Sequence, residues 1–417
     1  MKEEIYIFYR KFKAFGSRVC FYLCKVFPIK KNRISICTFE GRGGFGCNPK
    51  YIVGELSKRN SHYEFIWFVN DMQKKFPPYI KKVPNSLLSR AYWLSTSKIW
   101  IDNYRKPYGT CKRKKQYYLN TWHGTIGFKS TGLWRGAAFS KMAYLVSKND
   151  SKMIDDIIID SEWCAEMFPK GLVYDGDFLR TGAPRCDVLF GNRSRYKEAF
   201  REYHQISQES KIVMFAPTFR ENVINGKRAV FSGICSIDFK RLLHNFEMRF
   251  GGEWYLCLRV HPQLASQFGE YKDEQLKEKI IDVSQEDDMY EILAAMDAFI
   301  TDYSSAAMDA SFAEMPVFIY ADDIEKYIGE RGSLLWNISV DSKEPVTNNK
   351  KMTPNISTIL PYSIAQNNAE LEENILNFDE IEYVSMIRKF KNAVDLIFDG
   401  KASERVANQI ENICNNK

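Results

Sequence analysis

The 417 residues hold only five histidines, no CxxC pair, no internal repeat and no low-complexity tract. The ten cysteines (20, 24, 37, 47, 111, 164, 186, 235, 257 and 414) keep no metal-ligand spacing with histidine, which argues against a zinc module or disulfide scaffold and fits a reducing compartment. Cys37 and Cys257 lie inside apolar runs, where a reduced cysteine behaves as a small core hydrophobe. No carboxylate cluster resembles a two-metal site, and Asp287-Asp288 reads as the acidic start of a helix, so no metal is expected.

Long uninterrupted apolar runs are missing too. Residues 1–33 carry nine Lys or Arg and two Glu, which equals the net charge of +7 of the whole chain, so the remainder sums to zero. Basic charge confined to one end argues against a nucleic-acid binder, and no nucleic-acid partner is expected. Ile5, Phe8, Phe12, Phe15, Val19, Tyr22 and Val26 recur at spacings of three and four, which predicts an amphipathic helix ended by Pro28. Arg10, Lys11, Lys13, Arg18 and Lys25 interrupt it too often for a spanning helix or a signal peptide. Residues 1–28 therefore suit an anionic membrane surface, the alternative being a helix docked on its own domain.

What remains is ordinary globular material, 45% hydrophobic and 14% aromatic, long enough for two domains. Short apolar runs at 34–39, 65–69, 98–101 and 116–119 alternate with helical stretches, and the rhythm restarts at 211–215, 255–260, 298–301 and 316–320. The expected fold is α/β, with two Rossmann-like domains facing across a cleft and an N-terminal amphipathic helix. The expected divisions are 1–30 (basic helix), 31–205, 206–360, and 361–417, the last read as two helices. The basic run Lys112–Lys115 reads as an exposed turn or as an approach surface for a phosphate-rich substrate.

Five segments carry candidate chemistry. His123 follows the run at 116–119 within Trp122-His123-Gly124-Thr125, where active-site loops start; alone, such a histidine is as readily structural as catalytic. His261 holds the matching strand-end place in the second domain, next to Arg259. Asp302, Tyr303, Ser304 and Ser305 lead from a strand into a helix, whose start is either a phosphate site or an ordinary cap. Thr218 and Arg220 follow the run at 211–215. Arg185 lies in Thr181–Asp187, placed to meet a phosphate or to tie the interdomain connection through Asp187 or another carboxylate.

In order, these segments (WHGT at 122–125, TGAPRCD at 181–187, FAPTFR at 215–220, RVHP at 259–262 and ITDYSSAAMD at 300–309) resemble the CDP-glycerol glycerophosphotransferase family of wall teichoic acid primases and polymerases. The resemblance spans about 34–330. It implies a GT-B-like fold, with the acceptor mainly on the first domain and the nucleotide donor on the second. It implies that His123 and His261 are catalytic, with His123 as general base, and that Thr218, Arg220 and Asp302 to Ser305 bind the donor. Trp122, Gly124, Thr125, Arg185, Asp187 and Arg259 are further motif residues. The implied co-substrate is a CDP-polyol, with no other cofactor. The implied acceptor is a lipid-linked or glycan chain, met at the cytoplasmic face of the membrane. A glycosyltransferase using a nucleotide sugar and an inactive nucleotide-binding assembly subunit are the competing readings. The chain departs from the family pattern at Ile126-Gly127-Phe128-Lys129 and over Arg331 to Asn349, where acceptor or polyol choice would be set.

Overall fold

The structure is a computed structural model that describes residues 2–59, 62–218, 221–224, 227–230, 236–260, 274–331, 334–337, 347–348 and 359–415. It divides into two units, Met1–Thr125 with Thr131–Asp187 and Ile397–Lys417, and Ile126–Ser130 with Val188–Leu396.

Unit 1 opens with helix α1 (Lys2–Leu23), which a short 3-10 turn, Cys24–Val26, ends before Pro28. Its sheet has seven parallel strands: β1 (Lys30–Cys37), β2 (Glu64–Val69), β3 (Ile80–Pro84), β4 (Ser97–Asp102), β5 (Tyr117–Asn120), β6 (Asp156–Ile159) and β7 (Asp177–Arg180). Their spatial order is β3-β2-β1-β4-β5-β6-β7. Successive residues of a strand point to opposite faces, and both faces here are apolar. Ile34, Ile36, Phe65, Trp67, Ile99 and Ile101 pack on one side with helix α2 (Cys47–Arg59) and with the last helix, Ala402–Asn415. Cys37, Ile66, Phe68, Trp100 and Tyr118 pack on the other side with Phe21 of α1 and with helix α3 (Leu87–Thr96). Burial pushes the Cys37 thiol up to about 12, as suits a core side chain.

Along one face α1 takes the docked arrangement, packed on its own domain. Ala14 and Phe21 are buried in unit 1, and Gly109, at φ +95°, lets the chain pass so close to Ala14 that a Cβ there would meet its backbone at 2.7 Å. Arg113 donates to the Phe27 and Ser95 carbonyls, and Lys112 pairs with Asp155, so half of the basic run serves the fold. The opposite face stays open: Phe8, Phe12, Phe15 and Tyr22 are 73, 70, 63 and 70% exposed.

Among the described residues, the main sheet of unit 2 has six parallel strands: β8 (Lys211–Phe215), β9 (Trp254–Leu258), β10 (Ile280–Asp282), β11 (Ala298–Thr301), β12 (Val317–Tyr320) and β13 (Ile364–Ala365). Their order, β10-β9-β8-β11-β12-β13, reverses about its first strand as in unit 1, the doubly wound pattern. The two α/β units are of the GT-B-like class.

The division between the units falls at Asp187/Val188, ahead of the expected 205/206. The connecting helix, Ser194–Tyr203, belongs to unit 2 because buried Arg201 donates to the Ser210 carbonyl and pairs with Asp297 at 2.7 Å. The expected tail of two helices is three. Asn368–Leu376 and Glu380–Ala393 stay in unit 2, and only Ala402–Asn415 returns to unit 1, where Asp187 accepts the Ala402 and Ser403 N–H groups at its start.

Candidate active site

In a doubly wound sheet, the loops leaving the strands on either side of the order reversal form a binding crevice. In unit 1 these follow β1 and β4. Asn103, directly after β4, joins them: its Oδ1 accepts the Phe39 N–H at 2.8 Å. Its carbonyl oxygen lies 2.8 Å from Nδ1 of His123, just beyond β5. A carbonyl only accepts, so Nδ1 carries the proton and the neutral imidazole keeps its lone pair on Nε2. One backbone contact thereby selects the nitrogen able to take up a proton.

Aromatic rings fix the plane of that imidazole. Trp122 lies 4.5 Å from it, Tyr104 stacks at 5.4 Å, and Phe39 tilts against it at 5.4 Å. Arg105 covers Trp122 at 4.8 Å. Beneath the loop is a buried polar layer. Asp102 accepts the Tyr104 N–H at 3.0 Å and the Lys106 ammonium at 2.6 Å, with both side chains of this ion pair 3% exposed. Tyr118 donates to Asp150 at 3.3 Å. Burial, seconded by the charge of Asp102, pushes the Asp150 carboxyl up to about 7. Burial also raises Asp102, against the pull of Lys106.

The other motif residues of unit 1 brace this loop. Thr125 accepts from Nη2 of fully buried Arg185 at 3.3 Å, and Gly124 lies between them and His123 in the chain. Asp187 serves the last helix, as described above.

In unit 2 the reversal lies between β8 and β11, and again the loops beyond it are tied together. Asp302 accepts the Thr218 N–H at 2.8 Å, and the Thr301 hydroxyl donates to the Ala216 carbonyl at 2.6 Å. Ser304 Oγ accepts the Ala306 N–H at 3.3 Å, while Ser305 is itself helical and its side chain makes no cap, so the cap falls to Ser304. The helix that follows, Ala306–Phe312, has seven residues. Tyr303 is fully buried, stacked on Tyr327 at 4.1 Å and bonded to Asp323 at 3.1 Å. Arg259 donates to the Val283 and Glu286 carbonyls, a loop-tying role. His261 and Arg220 lie outside the described residues.

The two departures from the family pattern meet in unit 2. Leu335 N–H donates to the Phe128 carbonyl at 2.8 Å, Trp336 Nε1 to the Gly127 carbonyl at 3.2 Å, and Lys129 bridges Leu334. Gly127 lies against Ser305, where a Cβ would come within 3.1 Å of the serine Cβ. Sequence reasoning missed Asn48, Asn103 and Asn120, because isolated asparagines carry no periodic or motif signal. The only hint for Asn48 was its place beside Pro49 at a helix start.

The profile of the CDP-Glycerol:Poly(glycerophosphate) glycerophosphotransferase family matches residues 19–412. The chain belongs to this family. Within it, the chain is 26% identical over 385 residues to the teichoic acid poly(glycerol phosphate) polymerase of Staphylococcus epidermidis, covering 89% of this chain and 50% of that one. It is 25% identical over 396 residues to the teichoic acid glycerol-phosphate transferase of Staphylococcus aureus, covering 91% and 93%. The solved wall teichoic acid polymerase TagF superposes with a TM-score of 0.76 at 25% identity, covering 98% of both chains. The chain thus spans half the length of the S. epidermidis polymerase.

Proposed function

We propose that this glycerophosphotransferase-family chain moves glycerol phosphate, or a related polyol phosphate, from a CDP-polyol to a lipid-linked or glycan acceptor in the synthesis of a teichoic acid or capsule-like polymer, releasing CMP. The observation that carries the reading is the His123 Nδ1–H···O=C bond to Asn103, which leaves Nε2 as the basic nitrogen of a fixed imidazole at the switch point of unit 1. An acceptor hydroxyl attacks the β-phosphorus of the CDP-polyol, and Nε2 of His123 takes its proton. The bond from that phosphorus to the bridging oxygen breaks, and the electron pair leaves with CMP. A positioned base of this kind contributes typically 10²- to 10⁴-fold, and phosphoryl transfer draws otherwise on positioning and charge stabilisation. Thr218, Ser304 and Ser305 hold the donor phosphates together with Arg220 and His261, and Asp302 lies at the donor site ordering the Thr218 turn. The step draws on no cofactor beyond the co-substrate.

The exposed aromatic face of α1 supports a place at the cytoplasmic surface of an anionic membrane, where a lipid-linked acceptor is found. Arg10, Lys13 and Lys25 lie over Tyr6, Tyr9 and Tyr22, so basic groups and rings share the helix surface, as interfacial helices require. No described helix is long and apolar enough to cross a membrane. Incubation of the purified chain and a synthetic lipid-linked primer with CDP-glycerol, CDP-ribitol and UDP-sugars tests the reading through the nucleotide released. CMP is expected from a CDP-polyol. UDP from a UDP-sugar would replace this reading with a glycosyltransferase, and donor binding without turnover would replace it with an assembly subunit.

A further inference from the structure

Trp122 stands at φ +48°, a left-handed conformation that costs a side-chain-bearing residue roughly 1–2 kcal/mol. Something must hold it there. On its amino side, Asn120 Oδ1 accepts the Trp122 N–H at 2.8 Å. On its carboxyl side, Asn48 Nδ2 donates to the Trp122 carbonyl at 3.2 Å and to the preceding Thr121 carbonyl at 3.1 Å. The third position of the same carboxamide is also used, since Asn48 Oδ1 accepts the Arg185 N–H at 3.0 Å. Both hydrogens of the amide thus face carbonyls and its oxygen faces an N–H, so only one amide orientation satisfies the site. Asn48 is fully buried at the start of α2, and all these partners are backbone groups of two other segments. It acts on substrate only through them.

We propose that Asn48 is a positioning residue for proton transfer at His123. By holding the Thr121 and Trp122 carbonyls it maintains the left-handed turn that presents Nδ1 of His123 to the Asn103 carbonyl, and so keeps the lone pair on Nε2. A fully buried carboxamide suits this task because its bonds meet no competing water. The inference rests on the reading of His123 as the base, but the state of the imidazole can be followed without turnover.

Asn48→Asp keeps the volume and the acceptor for Arg185 while removing both N–H donors. Its kcat for CMP release is expected to fall on the order of 10²-fold, the usual consequence of a misplaced catalytic group, with the KM for CDP-glycerol near that of the parent. In the 15N-histidine spectrum, with the His123 signal assigned by its loss in His123→Gln, the parent should show the Nδ1–H tautomer and Asn48→Asp a mixture with the Nε2–H form. Asn48→Ser, which retains one donor, should fall between them and serves if Asn48→Asp does not fold. A folded variant with an unchanged His123 signal overturns the proposal, whether or not kcat has dropped. If the parent releases no CMP, the functional reading fails, and the spectra still decide what Asn48 does.

Discussion

Asp150→Asn isolates the electrostatic consequence of the polar layer beneath the His123 loop. Asp150 is 1% exposed, and burial raises its carboxyl from 3.8 to about 7. A carboxyl whose pKa is higher in the folded than in the unfolded chain stabilises the fold fully below its unfolded value and loses that contribution as pH climbs through the folded one. The window therefore runs from about pH 4 to about pH 7. Some three pH units at about 1.36 kcal/mol each amount to a loss on the order of 4 kcal/mol across it. An asparagine stays neutral throughout, and its oxygen still accepts from Tyr118. Its added N–H groups meet no designed acceptor, at a cost of about 1–3 kcal/mol. The variant should accordingly be less stable than the parent below pH 4, and the two should converge or cross by pH 8. Urea midpoints followed by tryptophan fluorescence read this directly, because six of the eight tryptophans lie in unit 1. Parallel stability curves for parent and variant from pH 4 to 8 would refute the reasoning.

Two further outcomes follow from named contacts. Asp187→Ala removes the acceptor for two N–H groups at the start of the last helix and should cost about 1–2 kcal/mol of unit 1 stability by urea unfolding, the value of a helix cap. An unchanged midpoint would deny it that role. Replacing the exposed Phe8, Phe12 and Phe15 by Glu should abolish flotation with anionic liposomes while leaving thermal unfolding unchanged. Removing residues 1–28 would be a poorer test, because it also strips buried Ala14 and Phe21 from the core. Equal flotation of the parent and the triple variant would reject membrane docking through α1.

Much of the fold was legible because buried parallel strands are short, dense apolar runs. The runs at 65–69, 211–215 and 298–301 coincide closely with β2, β8 and β11. β6 (Asp156–Ile159) was overlooked although its three isoleucines form such a run, and several other strands that escaped notice lack that density. β3 is an edge strand containing Lys81, Lys82 and a terminal proline, β7 is an edge strand with Asp177 and Arg180 exposed, and β10 and β13 span three and two residues. The unit boundary was misplaced because the polar stretch 191–210 looks like a linker, and only the tertiary pairing of Arg201 with Asp297 assigns its helix. At the site, the position of His123 after a strand was visible, and its chemistry was not. Which ring nitrogen carries the proton depends on a backbone carbonyl twenty residues away, and the left-handed Trp122 depends on asparagines at 48 and 120. Such contacts leave no pattern in a single chain.

The measurement that bears most directly on the account is CMP release from CDP-glycerol, with a lipid-linked primer present, by the parent chain and by His123→Ala. The parent should release CMP steadily, the variant should lose about 10²- to 10⁴-fold in kcat as expected for removal of a general base, and both should retain CDP-glycerol binding. Near-parental release by a folded His123→Ala would contradict that role.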